Sequence, residues 1–382
     1  MSDPVHAADP PPEERPLRDV RSGVASFVRS SAEVEAFLSS LGEASAVDRA
    51  WAASPCNPQA YIGELRDVVV LPGSRILLDR QGQARSDELE FAFRRLSLRP
   101  KRWDMELAPG PVLRFTQPPL SGTLQPAGIH LTGEHETNYF HWVSELLPRL
   151  HLYQRMLPDE TETPLLVSSG LHPNHIELLR LVCSPGRPIR QLEREQAHSV
   201  TRLLYPSDVG RILDVYDRAP GMDTTFLHVG LLRDMASRIK RAVPPPSPGA
   251  RRRLFLRRGG SYRRLLNEAE LEQFLVAQGF AAVDPGELSV HEQVRLFGEA
   301  ELIVGPSGAA MTNMLWCRPG TRVVVLHSDH PFKKYPYWDA LSRAAGVAVS
   351  YVSGPRAHNQ QGLFQAHDDY SVPTETVQQA LP

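Results

Sequence analysis

The feature that most constrains the fold is a regular alternation of apolar runs and helix-like segments from residue 253 onward. The apolar runs are RLFLRR, FAAVD, ELIVG, RVVVLH and VAVSYV, and helices are predicted from Asn267, from Ser289, from Gly308 and over about 336–345. Strands that alternate with helices pair in parallel, so the pattern predicts a doubly wound α/β sheet. Such sheets bind ligands at the carboxyl ends of their strands, where loops meet helix N-termini.

Local signals support these helix boundaries. Asn267 with Glu270 and Ser289 with Glu292 both have the spacing of a capping box, and Gly279 stands where a helix C′ residue is expected. The boundaries therefore agree with the apolar periodicity.

The N-terminal half has a mixed pattern. Strands are predicted at 66–72, 75–79, 111–115 and 164–168, and helices at about 86–95, 138–157 and 173–182. At 382 residues the chain is longer than one core usually supports, so two domains are expected. A hinge is predicted at 218–223, followed by a helix over about 226–242, and 244–249 is either a linker or a loop into the next strand.

Composition excludes several classes of protein. Lys and Arg total 42 against 44 Asp and Glu, so a net charge of -2 gives no overall field for binding nucleic acid. Three distant cysteines indicate neither a disulfide framework nor a zinc site, which favours a reducing cytoplasm. The chain lacks the pattern of a signal peptide and any run of roughly 18 apolar residues, so it is expected to be soluble or at most peripheral to a membrane.

The run ELIVGPSGAAMTNMLW, 301–316, places small residues between a strand and a helix. The amides of Ser307, Gly308, Ala309 and Ala310 are expected to be unpaired at the helix start, where they could bind a phosphate. The alternative is a turn whose small residues serve only tight packing.

A second run, LFLRRGGSYRR at 254–264, ends a predicted strand with arginines on both sides of a Gly-Gly turn. Forked guanidinium groups match phosphate oxygens, so Arg257, Arg258, Arg263 and Arg264 could hold a diphosphate without a metal. Arg257 and Arg258 point to opposite faces, so one of them is expected to face the ligand. The alternative is solvated surface arginine.

The run ETNYFHWVSELLPRL, 136–150, aligns Asn138, His141 and Glu145 on one helical stripe. The His and Glu could share a hydrogen bond and remove a proton from a hydroxyl if they face a cleft. The alternative is a structural helix with Asn138 as N-cap and Glu145 in solvent. His130, Glu134 and His135 are the next candidates for a base. The HxxH spacings at 172–175 and 327–330 are weak as metal sites, and no metal is predicted.

With these runs in hand, the chain resembles the family 61 glycosyltransferases over most of residues 60–330. The group includes bacterial capsule-type enzymes and eukaryotic protein O-linked N-acetylglucosaminyl- and xylosyltransferases. The resemblance is carried by NYFHWVSELLPRL, by the Arg-rich strand end with the segment up to ELIVG, and by SGAAMTNMLW.

The resemblance implies a GT-B fold, in which two Rossmann-like domains face each other across a cleft. It implies a metal-independent, inverting hexosyl- or pentosyltransferase without a cofactor, which uses a nucleotide-sugar donor and a glycan or lipid-linked acceptor in polysaccharide biosynthesis. By position, Arg257, the amides at 307–309 and Asn313 would hold the diphosphate, and His141 and Glu145 would face the cleft. The expected organisation is a disordered lead-in (1–20), an acceptor-side domain (21–217), a nucleotide-sugar domain (218–355) and a tail that packs back on the first domain (356–382).

One departure from the family is plain. The family usually reads G-x-H-G-A-G-L-T-N at this turn, whereas this chain reads GPSGAAMTN, with Ser307 in the histidine position and Ala310 for the later glycine. Serine cannot carry positive charge, so a non-catalytic nucleotide-sugar-binding subunit is an alternative function. A Ser hydrolase with Ser307 as nucleophile is a third reading, since GPSGA is close to GxSxG.

Overall fold

The computed structural model describes residues 13–41, 59–87, 106–108, 112–116, 118–212, 225–260, 263–330, 335–357 and 368–381. Within these residues the protein is mixed α/β with two large sheets. The predicted hinge at 218–223 and nearly all of the predicted helix at 86–95 lie outside the described residues. No described helix has the length and apolar character that a membrane span requires.

An 11-stranded mixed sheet forms from the N-terminal half. Its strands are β1 (Glu13–Arg18), β2 (Ser26–Arg29), β3 (Ile62–Val70), β4 (Leu77–Leu78), β5 (Ala84–Arg85), β6 (Glu106–Ala108), β7 (Val112–Phe115), β8 (Gln125–His130), β9 (Leu165–Ser168), β10 (Ile189–Leu192) and β11 (His198–Pro206). The order is β10-β9-β8-β11-β3-β4-β5-β1-β7-β6, and β2 pairs with β3. The helices of this half are α1 (Ser31–Ser40), α2 (Tyr139–His141, a π-helical turn Trp142–Leu146, and Leu147–Met156) and α3 (Pro173–Val182), with a 3₁₀ turn at Val20–Gly23.

Only part of this sheet has the expected Rossmann-like pattern. The strands β10, β9, β8 and β11 are parallel neighbours, whereas β3 pairs with β11 and with β4 in antiparallel fashion. A parallel crossover needs about a dozen residues or more, and the short connection from Val70 to Leu77 allows only an antiparallel return. The expectation of a Rossmann-like first domain therefore holds for four strands and not for the rest of the sheet.

The expected disorder of residues 1–20 is wrong for residues 13–18. This segment forms β1, which pairs with β5 and β7. Leu17 is buried against Phe115, and Val20 is also buried, so the strand contributes to the apolar core despite its charged and proline-rich sequence.

The C-terminal half forms the predicted parallel sheet. After the antiparallel pair β12 (Gly210–Ile212) and β13 (Thr225–Leu227), the strands are β14 (Arg252–Leu256), β15 (Phe280–Val283), β16 (Ala300–Pro306), β17 (Arg322–Ser328) and β18 (Ala348–Gly354). They pair in the order β15-β14-β16-β17-β18, all parallel. The helices are α4 (Val229–Ala242), α5 (Glu268–Ala277), α6 (Val290–Gly298), α7 (Pro336–Ala345) and α8 (Thr374–Ala380), with 3₁₀ helices at Pro285–Glu287 and Ala309–Trp316.

The two predicted capping boxes have different outcomes. Ser289 and Glu292 form the box at the start of α6. Asn267 makes no capping hydrogen bond, because its side chain instead donates to the carbonyl of Val372 and accepts from the Val372 amide, at 2.9 and 3.1 Å. Gly279, with φ 84°, follows α5 in the left-handed conformation expected of a C′ residue.

The described residues 368–381 of the C-terminal tail pack on the second sheet, whereas the tail was expected to pack on the first domain. Tyr370 donates a hydrogen bond to the carbonyl of Leu326 in β17, and α8 contacts α5 and β18. Val372 and Val377 are fully buried in the same apolar cluster. Apolar tail residues therefore complete the outer face of the parallel sheet.

Helices lie between the two sheets and join their cores. Leu231, Met235 and Ile239, which share one face of α4, are fully buried. Leu227, which lies inside the helix predicted over about 226–242, belongs to β13 instead. One apolar cluster runs from Leu165 in the first sheet through α4 to Leu254 in the second. This shared core fixes the loops of one sheet opposite those of the other.

Candidate active site

A cavity of about 370 Å³, here called the central cavity, lies at the carboxyl ends of β14, β15 and β16. From β14 the chain adds β15 on one side of the sheet and then β16 on the other side, so the strand order reverses between β14 and β16. Open α/β sheets bind ligands at this position. The opposite wall comes from the first half of the chain, and its residues are Thr137, Tyr139, His172, Asn174 and His175.

The turn after β16 presents three unpaired amides to this cavity. Gly308 precedes the 3₁₀ helix Ala309–Trp316, and the amides of Gly308, Ala309 and Ala310 have no hydrogen-bond partner among the described residues. Ser307 differs from the sequence prediction, because its amide donates to the carbonyl of Leu326 at 2.8 Å. The Ser307 amide is thus used in pairing with β17, which leaves the amides of residues 308–310 for an anion cradle.

The two neighbouring arginines have different positions. Arg258 donates from Nη1 to the carbonyl of Ser307 at 2.7 Å, and a Cβ added to Gly308 would clash with that guanidinium group. Arg257 points toward α5, where its guanidinium donates two hydrogen bonds to the Glu272 carboxylate at 2.8 and 2.5 Å. These hydrogen bonds raise the pKa of Arg257. Both arginines line the central cavity, and Arg258 is the one whose guanidinium contacts the turn.

The other predicted donors are less suited to a ligand. Arg264 pairs with Asp369 at the surface, and neither it nor Arg263 is among the described residues that line the central cavity. Asn313 does line it but is buried, with Oδ1 accepting from Trp316 and from the Tyr139 hydroxyl at 2.7 and 2.9 Å. Asn313 therefore ties α2 to the turn, with one amide hydrogen bonded to Ala310.

In α2, His141 and Glu145 form the predicted pair, and neither of them is among the described residues that line the central cavity. His141 Nδ1 lies 2.7 Å from Glu145 Oε1, and Asn138 caps the helix by accepting from the Phe140 amide at 3.0 Å. Glu145 is 3% exposed, which contradicts the alternative that placed it in solvent. It lies in the π-helical turn Trp142–Leu146, a local irregularity that often occurs at functional sites.

A buried arginine that the sequence did not single out holds the Glu145 carboxylate. Arg75 Nη2 donates to Glu145 Oε2 at 2.8 Å, and the Ile212 amide donates to Oε1 at 3.1 Å. Burial raises the pKa of Glu145, but His141 and Arg75 outweigh it and hold the pKa below the usual range. Arg75 also pairs with Asp208 and with Glu134, so it is the centre of a buried ion network. No motif or spacing marks Arg75, because it comes from the turn between β3 and β4.

The other candidate bases lie beside this pair. His135 stacks on His141 with ring centroids 4.7 Å apart, and its φ of 58° is a strained conformation for a histidine. His130 is fully buried beside Arg149, and burial holds its pKa well below the usual range, so it cannot reach a substrate from there. Glu134 pairs with Arg75 and Arg211.

Aromatic contacts connect the two sides. Phe140, next to His141, packs on Trp338 of α7 with ring centroids 5.2 Å apart. Trp338 Nε1 in turn donates to Ser307 Oγ at 3.3 Å. One layer of side chains thus separates the start of α2 from the turn at 306–308, although the two are far apart in sequence.

Comparison with known proteins gives the family. Residues 139–324 match the family model described as Glycosyltransferase 61. The chain belongs to glycosyltransferase family 61. No curated protein matches it. The matched segment begins with Tyr139 in α2 and ends in β17, so it includes the His141–Glu145 pair and the whole turn from Pro306 to Asn313.

This membership fits poorly with a Ser307 nucleophile. In this family 61 protein the Ser307 hydroxyl accepts a hydrogen bond from Trp338 Nε1 at 3.3 Å. Ser307 is also absent from the described residues with positive φ, whereas a hydrolase elbow is strained. The turn therefore lacks the strained backbone of a hydrolase nucleophile elbow.

The HxxH spacing at 172–175 serves the helix and the cavity wall. His172 Nδ1 accepts from the Asn174 amide at 3.2 Å and caps α3, and His175 is buried against Tyr139 and Trp142. Among the described residues, no group of three or more His, Cys, Asp or Glu is arranged to hold a metal. The metal-independent reaction of this family 61 protein stays a prediction.

Proposed function

We propose that this family 61 glycosyltransferase is of the GT-B type. It moves a sugar from a nucleoside diphosphate sugar to a hydroxyl of a glycan or lipid-linked acceptor, with inversion and without a metal, in polysaccharide biosynthesis. In this proposal the donor diphosphate occupies the central cavity, and the acceptor approaches from the side of α2.

One observation carries the proposal: the free amides of Gly308, Ala309 and Ala310 lie at the switch point of the parallel sheet with the Arg258 guanidinium beside them. Amides at a helix start and a forked cation are the donors that a diphosphate needs. They supply positive potential without a bound cation, which supports the metal-independent assignment.

The chemistry assigned to α2 is removal of the acceptor proton. The acceptor oxygen bonds to the anomeric carbon from the face opposite the diphosphate, the bond from that carbon to the phosphate oxygen breaks, and the acceptor proton passes to His141. The diphosphate leaves with the bonding electron pair, which the amides at 308–310 and Arg258 stabilise.

Calorimetry with UDP and GDP tests the donor site directly. Protein treated with EDTA should bind at least one of the two nucleotides, and nuclear magnetic resonance of a turnover reaction should show a product anomer opposite to that of the donor. Binding that needs added Mg²⁺ or Mn²⁺ would contradict the metal-free proposal.

A non-catalytic nucleotide-sugar-binding subunit is the second candidate, because Ser307 occupies the position of the family histidine and its hydroxyl is engaged by Trp338. Release of free sugar from a panel of nucleotide sugars separates the two. An enzyme hydrolyses or transfers its donor, and His141→Ala reduces that rate by roughly 10²-fold to 10⁴-fold, whereas a binding subunit gives no turnover to reduce.

A further inference from the structure

We propose that Arg75 is a positioning residue for catalysis, which acts through Glu145 to hold His141 with its Nε2 atom open toward the acceptor. The inference rests on the proposed function, in which His141 takes the acceptor proton. It assigns Glu145 to orientation and leaves His141 Nε2 as the single proton-accepting atom.

The hydrogen bonds around Glu145 determine the tautomer of His141. Oε2 accepts from Arg75 and Oε1 accepts from the Ile212 amide, and neither of these groups can do anything but donate. These donors and the neighbouring His141 hold the pKa of Glu145 below its usual range, so the carboxylate is an ionised acceptor. Its 2.7 Å contact with His141 then places a proton on Nδ1. The neutral ring then carries its lone pair on Nε2, which has no partner among the described residues.

Burial explains why Arg75 is needed. Arg75 is 2% exposed and Glu145 is 3% exposed, so an unpaired Glu145 would be a costly buried charge. Without the guanidinium the carboxyl group would tend to take up a proton, and a protonated Glu145 could donate to Nδ1 and shift the ring proton to Nε2. That tautomer cannot act as a base at Nε2.

The network also fixes Arg75 itself. Asp208 follows β11 and Glu134 follows β8, so both come from the switch point of the four parallel strands in the first sheet. His135, next to Glu134, covers one face of the His141 ring. Arg75 and His135 contact the His141–Glu145 pair directly. The charged groups of the network behind Arg75 are Glu134, Arg149, Asp208 and Arg211.

The main test is Arg75→Lys, which keeps the charge but loses the fork. We expect kcat to fall about 10-fold to 100-fold, as for other residues that orient a reacting imidazole, while nucleotide affinity and donor KM stay within about threefold. The acid limb of the pH profile of kcat should also move. The matched control is Arg85→Lys, another buried arginine paired with a carboxylate, that of Asp79, which should change none of these values.

A double-mutant cycle separates positioning from general damage. If Arg75 acts through Glu145, then Arg75→Lys should change kcat little further in a Glu145→Gln background. Losses that multiply in the double mutant, or an Arg75→Lys protein with normal kcat and pH profile, would overturn the inference. If His141→Ala keeps normal transfer, the proposed base fails instead, and the two failures are thus distinguishable.

One measurement needs no Arg75 variant that folds. Nitrogen-15 resonances of ¹⁵N-histidine-labelled wild-type protein, with His141 assigned by its loss in His141→Ala, report which ring nitrogen carries the proton. We expect the Nδ1–H form near neutral pH. An Nε2–H form would refute the inference whether or not Arg75→Lys is stable.

Discussion

Two adjacent arginines, Arg257 and Arg258, should respond differently to replacement by alanine. Arg258 lies against the carbonyl of Ser307 at the turn with the free amides, whereas Arg257 is held by Glu272 on α5. Arg258→Ala should therefore weaken nucleoside diphosphate binding, and Arg257→Ala should leave it nearly unchanged.

The magnitude follows from the contacts. Arg258 is partly buried and its Nη1 is 2.7 Å from the turn, so it can give a phosphate a charge-assisted hydrogen bond worth about 1.5 to 3 kcal/mol. This corresponds to a loss of roughly 10-fold to 150-fold in affinity. The Arg257 side chain is 45% exposed and already shares both its hydrogen bonds with Glu272, so we expect a change within about threefold.

The assay is calorimetric titration of UDP and GDP into each variant in the presence of EDTA, with thermal unfolding to check that both proteins are folded. Gly308→Ala provides a second perturbation of the same contact, because its methyl group would displace the Arg258 guanidinium without removing the charge. It should lower affinity in the same direction as Arg258→Ala.

Equal losses in Arg257→Ala and Arg258→Ala would refute this reasoning. A larger loss in Arg257→Ala would mean that the Glu272 fork opens when the nucleotide binds, and the position predicted from the sequence resemblance would then be correct.

Two further predictions concern stability. Gly354→Ala should lower the free energy of unfolding, measured by urea titration, by about 1 to 3 kcal/mol, because the added methyl group would clash with the backbone carbonyl of Ser371 in the tail. Gly122→Ala, whose methyl group would have no neighbour within 4 Å, should be neutral in the same titration. Burial lowers the pKa of His151 and His175 to about 4. Between about pH 6.5 and 4 the unfolded chain therefore binds protons that the folded chain does not. As the pH falls through this range, the free energy of unfolding should decrease by up to roughly 1.4 kcal/mol per pH unit for each histidine. Urea midpoints that stay constant from pH 7 to 4.5 would contradict this.

Periodicity and turn chemistry were enough to predict much of the fold. The alternation after residue 253 predicted all five parallel strands, and the small residues after ELIVG predicted the turn that faces the central cavity. The helical spacing of His141 and Glu145 predicted their hydrogen bond. These features depend on residues close in sequence, which fix strand and helix periods wherever the segment lies.

Only the tertiary structure decided which of these groups can act. Strand alternation puts Arg257 and Arg258 on opposite faces, but the position of α5 and of the turn after β16 determines that Glu272 takes the first and the turn takes the second. Likewise, pairing with β17 uses the Ser307 amide, which therefore cannot bind an anion. Arg75, 70 residues away from Glu145 in sequence, donates a hydrogen bond to the buried carboxylate and stabilises its ionised form. Each outcome depends on contacts between distant segments, and a single sequence carries no local signal for those contacts.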